Sequence, residues 1–511
     1  MYVRDEDKVW IATGREGTEP ILMLPPMLNR HGLVTGATGT GKTTTIKVMA
    51  EAFSEMGTAV FLADIKGDVS GLCQPGTPSA AVDQRVAAMG IKDFSFTGYP
   101  VRFFDLYGEA GIPVRTTVSG MGPILLARIL GLNDTQAGVL QIIFKYADDN
   151  GLLLLDFKDL RSMVAYVGEN AKSFTTAYGN VSTASVGAIQ RSLLTLEQAG
   201  ADRFFGEPEL DLTDWLGTDE QGRGVVNILN CVSLFHNPLL YSTFLLWMLS
   251  ELYELLPEIG DPPRPRLVFF FDEAHLLFNS APKALLEKVE QIVRLIRSKG
   301  VGIYFISQSP ADIPNTVLSQ LGNKVQHALR AYTPADQKAI RAAAASFRPN
   351  PEFDTETAIA DLATGEALVS ALDEKGAPQM IRRGFILPPR CSFGVAAPET
   401  IRRIIDSSPL TLKYGQAIDR YSAFEALDEA AAREARRREA EADEAAREKA
   451  RREAERAGAT GRAPAGGSRQ PASRPAPRSS ALDKAVSSTL SQIGRSVGRE
   501  LVRGLFGTIR K

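Results

Sequence analysis

The chain has 511 residues, of which 44% are hydrophobic and 23% charged; these are ordinary values for a folded globular protein and exclude disorder over most of the length. Its 58 Lys and Arg side chains nearly balance 60 Asp and Glu, which excludes a globally basic nucleic-acid-binding protein but not a local basic patch. Three widely spaced cysteines exclude a disulfide framework and a cysteine-based zinc site, and fit a reducing cytosol.

The amino terminus predicts neither export nor membrane insertion. Residues 1–10, MYVRDEDKVW, are charged and lack the apolar core of a signal peptide. The longest apolar runs, RLVFFFDEA and STFLLWMLSEL, are far shorter than the roughly 20 residues of a membrane-spanning helix. We therefore expect a cytoplasmic protein without an integral membrane segment, in which the first run forms a buried strand and the second a buried helix.

Residues 1–420 contain two patterns. Residues 1–31 alternate short apolar and polar segments and predict a small β cap. Residues 32–420 alternate strand and helix patterns, which predicts an α/β domain with a mainly parallel sheet. The strand candidates are rich in Val, Ile and Phe, as expected where both faces of a sheet are covered: 32–36, 58–64, 224–230, 266–272, 301–307 and 324–330. Between about 120 and 216 apolar residues recur at helical spacing, which predicts a helical insertion that is either scaffold or a contact for a partner or substrate.

The composition changes after residue 420. Residues 421–457 are mostly Ala, Glu and Arg, with opposite charges four residues apart, and predict a solvated single helix or, alternatively, a coiled-coil strand. Residues 458–480 are rich in Gly, Pro, Ser and Arg and predict a flexible linker. Residues 481–511 predict a basic amphipathic helix that docks on its own protein, a partner, nucleic acid or an anionic membrane.

The strongest motif is GATGTGKT, which matches the phosphate-binding pattern G-x-x-x-x-G-K-[ST] at every fixed position. An apolar strand precedes it and a helix follows, so backbone N–H groups and the helix amino terminus would surround the phosphates of a nucleoside triphosphate. In this pattern Lys42 reaches the β- and γ-phosphates and the Thr43 hydroxyl binds Mg²⁺. The predicted nucleotide-binding residues are Gly36, Ala37, Thr38, Gly39, Thr40, Gly41, Lys42, Thr43 and Thr44.

Two carboxylates follow the apolar strand RLVFFF. Asp272 is the candidate Walker B residue that holds Mg²⁺, and Glu273 is the candidate that activates the attacking water. The next strand, VGIYFIS, is followed by Gln308, a candidate sensor of the γ-phosphate or the water. In DIKGD, the roles of Asp64, Lys66 and Asp68 stay open between structural capping and function.

An arginine that reaches the γ-phosphate from a neighbouring subunit can accelerate phosphoryl transfer by several orders of magnitude. Arg297, which precedes VGIYFIS, and Arg330, which ends KVQHALR, are the two main candidates for this role. The alternative for each is a structural ion pair. Arg382 and Arg383, in MIRRG, are further options.

Together these motifs resemble the HerA/FtsK branch of P-loop ATPases. The resemblance rests on HGLVTGATGTGKT, DIKGD, VFFFDEAH, IRSKGVGIYFISQSP and LGNKVQHALRAYTPADQKAI, and extends over nearly the whole chain to the bacterial YjgR-type, HerA-like proteins. It implies a RecA-like core, a hexameric ring, ATP with Mg²⁺, and coupling of hydrolysis to movement of a polymer, which is DNA for related pumps. The chain departs from the relatives in its short amino-terminal cap and in Ser309, where they often carry Arg.

Four functions are compatible with these motifs. The first is an oligomeric, ATP-driven motor on DNA. A protein-directed pump and a nucleotide-gated scaffold would use the same ATPase site without stimulation by DNA. A small-molecule kinase is disfavoured because Glu273 would direct water at the γ-phosphate and waste ATP.

Overall fold

The computed structural model describes residues 1–15, 19–234, 237–279 and 283–459. The chain divides into two compact units, Met1–Glu434 and Ala435–Lys511. In the second unit the described residues are 435–459, the last part of one helix. The predicted linker at 458–480, except for its first two residues, and the predicted helix at 481–511 lie outside the described residues.

The first unit is built on one sheet. The described strands are β1 (Tyr2–Val3), β2 (Lys8–Gly14), β3 (Pro20–Met23), β4 (Gly32–Thr35), β5 (Ala59–Asp64), β6 (Val101–Asp105), β7 (Ile112–Pro113), β8 (Val226–Asn230), β9 (Leu267–Phe271), β10 (Val301–Ser307), β11 (Asn323–Gln326), β12 (Glu366–Ser370) and β13 (Arg382–Ile386). Their spatial order is β1-β2-β13-β12-β11-β4-β10-β9-β5-β8-β6-β7, with β3 paired to β2. Neighbouring strands from β11 to β7 run parallel, whereas the pairs from β11 outward to β1 are antiparallel. The mainly parallel sheet is therefore confirmed.

The amino-terminal strands belong to this same sheet. In the antiparallel pair of β2 with β13, Thr13 lies opposite Phe385. Residues 1–31, predicted as a small cap, thus extend one edge of the main sheet. The sequence contains no local sign of this pairing, because the two strands are more than 360 residues apart in the chain.

The central strands are apolar because each face of the sheet packs against its own core. All five residues of β9 and all seven of β10 are buried. Along β9, Phe269 and Phe271 enter one core while Val268 and Phe270 enter the other, as the two-residue period of a strand requires. Six predicted strands are present, but β11 ends at Gln326, four residues earlier than its predicted end.

The described residues also contain seventeen α-helices. They are α1 (Lys42–Glu55), α2 (Ala80–Ala88), α3 (Val118–Ile129), α4 (Asp134–Asp149), α5 (Phe157–Glu169), α6 (Ala171–Tyr178), α7 (Thr183–Gln198), α8 (Ala201–Phe204), α9 (Pro238–Leu255), α10 (His275–Asn279), α11 (Lys283–Leu295), α12 (Asn315–Leu318), α13 (Pro334–Ala345), α14 (Thr355–Asp361), α15 (Pro398–Ser407), α16 (Pro409–Tyr414) and α17 (Ala423–Ala459). None of these described helices is both long and apolar enough to cross a bilayer.

Helices occupy both the segment predicted as a helical insertion and the charged segment predicted at 421–457. Helices α3 to α8 lie between β7 and β8, and their apolar side chains join the core that also contains α9. Helix α17 exposes charged side chains along most of its length, and two of its predicted i,i+4 pairs are present, Glu429–Arg433 and Glu448–Arg452, each with a separation of 2.7 Å. Such exposed pairs each add a few tenths of a kcal/mol to helix stability.

Candidate nucleotide-binding site

The predicted site lies at the carboxyl edge of the parallel strands. Strand β10 pairs with β4 on one side and β9 on the other, and Ser307 at its end is opposite Thr35. Phe271, the last residue of β9, is opposite Phe305. The phosphate loop after β4 and the carboxylates after β9 therefore leave the sheet at the same edge, where parallel α/β sheets bind ligands.

The phosphate loop requires glycine for two reasons. Gly36, Gly39 and Gly41 have φ values of 153°, 77° and 115°, which side-chain-bearing residues rarely adopt. A Cβ atom on Gly36 would lie 2.5 Å from the Cβ of His327, so the loop also needs glycine to pass the segment after β11. A Cβ on Gly39 would meet no atom within 4 Å, so the loop opens towards free space at that position.

Lys42 and Thr43 begin helix α1 at the end of this loop. The Lys42 Nζ donates to the carbonyl oxygens of Gly36 (2.6 Å) and Ala37 (3.1 Å). Burial, and next the charge of Lys66, lowers the pKa of Lys42. The Thr43 hydroxyl donates to Asp68 Oδ2 over 3.0 Å. The amino end of α1 therefore combines the helix dipole with a lysine and a hydroxyl, which is a suitable set of groups for a phosphate and its cation.

His327 supports the loop, a role that the sequence analysis missed. Its Nδ1 lies 3.0 Å from the Glu366 carbonyl oxygen, and because a carbonyl only accepts, Nδ1 carries the proton. Its Nε2 then accepts from the Thr45 hydroxyl at 2.8 Å. Burial lowers the pKa of His327 to about 4, so the ring is neutral. The next residue, Ala328, reinforces the contact, because its carbonyl oxygen accepts from the Ala37 amide at 2.8 Å.

The two carboxylates after β9 face Lys66, which lies in the turn that follows β5. Lys66 Nζ lies 2.6 Å from Glu273 Oε1 and 3.9 Å from Asp272 Oδ2. Burial alone would lower the pKa of Lys66, but the two carboxylates outweigh it and raise the pKa. Burial raises the pKa of Asp272 to about 6, and the Lys66 charge offsets part of that effect. Lys66 of DIKGD is therefore part of the site.

Glu273 is held in an unusual conformation. Its φ is 47°, a left-handed value that is rare for a glutamate and is typical of functional positions. The side chain is buried, and His275 Nδ1 lies 3.2 Å from its Oε2. That oxygen has no hydrogen bond of good geometry among the described residues. One carboxylate oxygen is therefore held by Lys66 while the other is left without a well-aligned donor.

The remaining acids of DIKGD have different roles. Asp64 accepts from the amides of Gly67, Asp68 and Val69, so it caps the turn after β5. Burial, with a contribution from the charge of Asp68, raises the pKa of Asp64 to about 6. Asp68 bonds the Thr43 hydroxyl instead. Structural capping thus describes Asp64, whereas Lys66 and Asp68 lie against predicted site residues.

Gln308 follows β10 between the phosphate-loop strand and the carboxylate strand, as a sensor residue should, and its side chain is exposed. Its neighbour Ser307 is buried and donates to Asp312. The position fits the predicted role of Gln308, which stays a prediction.

The candidate arginines occupy opposite edges of the sheet. Arg297 precedes β10, so it lies at the amino edge, where its guanidinium is 3.4 Å from Asp261. Arg330 follows β11 at the carboxyl edge and donates to the carbonyl oxygens of Ala360 and Leu362. Within one chain, Arg330 therefore shares the edge of the phosphate loop and Arg297 does not.

Arg382 and Arg383 are held by other groups. Arg383 forms two bonds, of 2.8 and 3.0 Å, with the buried carboxylate of Glu366, whose pKa is lowered by this pairing against the effect of burial. Arg382 pairs with Glu19 at 2.9 Å. Both arginines have the ion-pair partners of structural residues.

The described residues fit a nucleotide with a magnesium ion. The loop provides a glycine cradle, Lys42 provides a cation for the phosphates, and Thr43 and Asp272 provide oxygen ligands of the kind Mg²⁺ prefers. The described residues contain no cluster of three or more His, Cys, Asp or Glu side chains that would hold a metal alone. A magnesium ion here would therefore depend on phosphate oxygens, as is usual for this metal.

Comparisons with known proteins agree with this geometry. The family model "Helicase HerA-like C-terminal" matches residues 11–511. The DNA double-strand break repair helicase HerA of Sulfolobus acidocaldarius is 19% identical over 345 residues, which are 67% of this chain and 62% of that protein. The probable helicase MJECL08 of Methanocaldococcus jannaschii is 33% identical over 125 residues, 24% of this chain and 22% of its own. The chain thus spans less than two thirds of the length of either relative.

Solved structures resemble the fold. The bacterial conjugative coupling protein TrwBdeltaN70, in an unbound form, superposes with a TM-score of 0.50 at 16% identity, over 75% of this chain and 92% of its own. The plasmid coupling protein TrwB in complex with ADP and Mg²⁺ gives the same TM-score and identity, over 73% and 88% of the two chains. The predicted RecA-like P-loop core is confirmed, and the chain belongs to the family of helicase HerA-like C-terminal proteins.

Proposed function

We propose that this protein is a Mg²⁺-dependent ATP hydrolase that works as a ring, with six subunits, and couples hydrolysis to the movement or unwinding of DNA. The observation that carries the hydrolase is the position of Glu273, buried beside Asp272 and Lys66 at the sheet edge where the phosphate loop begins. The TrwB complex with ADP and Mg²⁺, a protein of similar fold, supports the choice of ligand. The names of the HerA relative and of the family support DNA as the polymer.

Each residue has a definite task in this proposal. The loop amides and Lys42 bind the phosphates, Thr43 and Asp272 hold Mg²⁺, and Gln308 contacts the γ-phosphate or the water. Glu273 takes the proton of the attacking water, a contribution that is typically worth about 10² to 10⁴ in rate. Bound Mg²⁺ would supply neutralisation of phosphate charge.

The opposite positions of the two arginines support the proposal of a ring. A head-to-tail interface joins different edges of neighbouring subunits, and it closes into a ring when the rotation permits. The amino edge carries Arg297 in a cavity of about 410 Å³ that is also lined by Arg30, Arg294 and Lys324. Such a basic edge suits the phosphate-loop edge of a neighbour, so Arg297 is our candidate for the arginine that acts between subunits and Arg330 for one that acts within its own.

The first test is ATP turnover without a polymer and with single-stranded DNA, duplex DNA or RNA at low salt. We expect stimulation by DNA, loss of turnover in Glu273→Gln with ATP binding retained, and loss of binding or turnover in Lys42→Ala. Normal turnover in Glu273→Gln would refute our assignment of the base. Turnover that no nucleic acid changes would refute the DNA motor and favour a protein-directed pump or a nucleotide-gated scaffold.

The second test mixes inactive subunits. A mixture of Arg297→Ala with Lys42→Ala subunits regains activity if Arg297 serves a neighbour's intact loop, and light scattering with ATP measures the assembly. A mixture of Arg330→Ala with Lys42→Ala is the matched control and stays inactive if Arg330 acts within its own subunit. Recovery in the second mixture alone would reverse the two assignments.

A further inference from the structure

The turn before helix α13 presents an aromatic side chain to solvent. Tyr332 is 87% exposed, and the next most exposed aromatic side chain in the described part of the chain is Tyr421, at 59%. Tyr332 forms no ring contact, side-chain hydrogen bond or ion pair with a described residue. A ring that is this exposed has a face free for stacking.

The segment around Tyr332 is basic. Residues 328–348 contain four basic side chains, Arg330, Lys338, Arg341 and Arg348, and one acidic side chain, Asp336, which gives a net charge of +3. Among the described residues none of the four cations forms an ion pair. The three arginines donate to backbone carbonyl oxygens, and the lysine has no partner. Because the whole chain has a net charge of −2, this segment is a local basic patch.

Helix α13 directs part of this charge outward. Gln337, Lys338 and Arg341 are exposed and stand three and four residues apart, so they share one face of the helix. The opposite face is fixed to the protein, because Ile340 and Ala343 are buried in a core that also includes residues after β11. The exposed face therefore belongs to a helix whose orientation is set by packing.

The turn that carries Tyr332 is fixed as well, and it lies close in the chain to the phosphate loop. The Tyr332 amide donates to Asp336 Oδ2 over 3.0 Å, which ties the turn to the first turn of α13. Four residues earlier, the Ala328 carbonyl oxygen accepts from the Ala37 amide of the phosphate loop at 2.8 Å. A short length of backbone therefore joins the loop to the exposed ring.

We propose that Tyr332, Gln337, Lys338 and Arg341, the Tyr332 surface, bind a single strand of DNA. The inference depends on the proposed DNA motor and adds to it the residues that hold the polymer. An aromatic ring that stacks on a base, next to cations that contact backbone phosphates, is the combination that binds single strands without sequence preference. The bases of a duplex are already stacked on each other, so the ring favours a single strand. The short connection to Ala37 provides a path by which the bound strand stimulates hydrolysis.

The experiment measures binding by fluorescence anisotropy, with the full-length protein, Mg²⁺ and a non-hydrolysable ATP analogue. The probes are a labelled oligothymidine and an abasic strand of the same length, which has the phosphates without the bases; polyglutamate is the competitor. The variants are Tyr332→Ala, Tyr332→Phe and the double variant Lys338→Gln with Arg341→Gln. The matched controls are Tyr421→Ala, at an exposed tyrosine, and Arg402→Gln with Arg403→Gln, at two exposed helical arginines.

We expect Tyr332→Ala to weaken oligothymidine binding about tenfold, a loss equivalent to about 1.4 kcal/mol, and to change binding of the abasic strand less than twofold. Tyr332→Phe should bind as the unaltered protein does. The double variant should weaken both strands and reduce the slope of log K against log salt by at least about 1.4, since each phosphate contact on a single strand contributes about 0.7. ATP turnover without DNA should be unchanged in every variant, which shows that the variants are folded.

Oligothymidine binding that no variant weakens would overturn the Tyr332 surface and leave the DNA motor in place. Equal losses of both strands in Tyr332→Ala would overturn the stacking of the ring. Polyglutamate that binds as tightly as the strand, and is lost in the double variant, would assign the surface to an acidic protein instead. An unaltered protein that hydrolyses ATP but binds no nucleic acid would overturn the proposed DNA motor itself.

Discussion

The ion pair between Lys66 and Glu273 gives the sharpest test of the site. The two charges are 2.6 Å apart, and the side chains are 40% and 8% exposed. At this distance the attraction is about 1.6 kcal/mol for a dielectric constant of about 80 and about 6 kcal/mol for one of about 20. Desolvation of the glutamate and screening of the half-exposed lysine both reduce the larger value, so we expect a net coupling of about 2 kcal/mol.

A double-mutant cycle measures this coupling. The four proteins are the unaltered chain, Lys66→Met, Glu273→Gln and the double variant, unfolded in urea, which unlike a guanidinium salt does not screen charges, without nucleotide or Mg²⁺. Methionine keeps most of the alkyl stem and removes the charge. Tryptophan fluorescence is the readout, because all three tryptophans lie in the unit Met1–Glu434 that contains the site.

The chain contains a matched control for burial. Lys145 and Asp149 are also 2.6 Å apart, but they are 64% and 38% exposed. Because solvent screens this exposed i,i+4 pair, we expect the cycle with Lys145→Met and Asp149→Asn to give a much smaller coupling than the Lys66–Glu273 cycle. Equal couplings for the two pairs would refute the argument that burial makes the Lys66 contact strong.

Three further predictions concern stability and the loop. Gly36→Ala should abolish nucleotide binding and lower the unfolding midpoint, because its Cβ would lie 2.5 Å from that of His327; binding equal to that of the unaltered protein would contradict the clash. Burial lowers the pKa of His31 and His327 to about 4, below the usual value near 6.5. Between pH 6.5 and 4 the unfolded chain therefore binds protons at these residues that the folded protein does not, so the free energy of unfolding should fall as the pH falls through this range; imidazole NMR should show two rings that stay neutral at pH 5. Arg383→Met should cost about 3 kcal/mol, because the buried carboxylate of Glu366 loses its close ion pair and keeps only the Ala363 amide and the more distant Arg15, at 3.8 Å. Arg382→Met, whose partner is exposed, should cost less than about 1 kcal/mol; equal costs measured by denaturation would refute this distinction.

Much of the fold could be predicted because its signals are local. The apolar runs of β9 and β10 and the helical spacing of the insertion are patterns within single segments. The antiparallel strands β12 and β13 were not predicted, because they are short and contain polar residues such as Glu366 and Arg383. The strand at 324–330 was predicted too long because its apolar pattern continues beyond Gln326, where β11 ends and His327 contacts Thr45 of α1 instead.

The candidate site could be predicted only where its residues form a local motif. A motif identifies Lys42, Asp272 and Glu273 because their chemistry fixes their neighbours in the sequence. The contact of Lys66 with Glu273 joins residues 207 positions apart, and no pattern within either segment indicates it. The same is true of His327 and Thr45, which are 282 positions apart. Residues that hold other residues in place are therefore those that sequence reasoning misses.

The arginines are an instructive exception, because the sequence already contained the information that separates them. In a parallel sheet, a residue just before a strand lies at the amino edge and a residue just after one lies at the carboxyl edge. Arg297 precedes β10 and Arg330 follows β11, and both strands are parallel to the phosphate-loop strand β4. Their order along the chain thus places Arg297 away from its own phosphate loop. For Arg297 to act in catalysis, a second subunit must bring its phosphate loop to that edge. A catalytic role of Arg297 therefore requires assembly of the ring, and a protein that stayed monomeric could not use this residue.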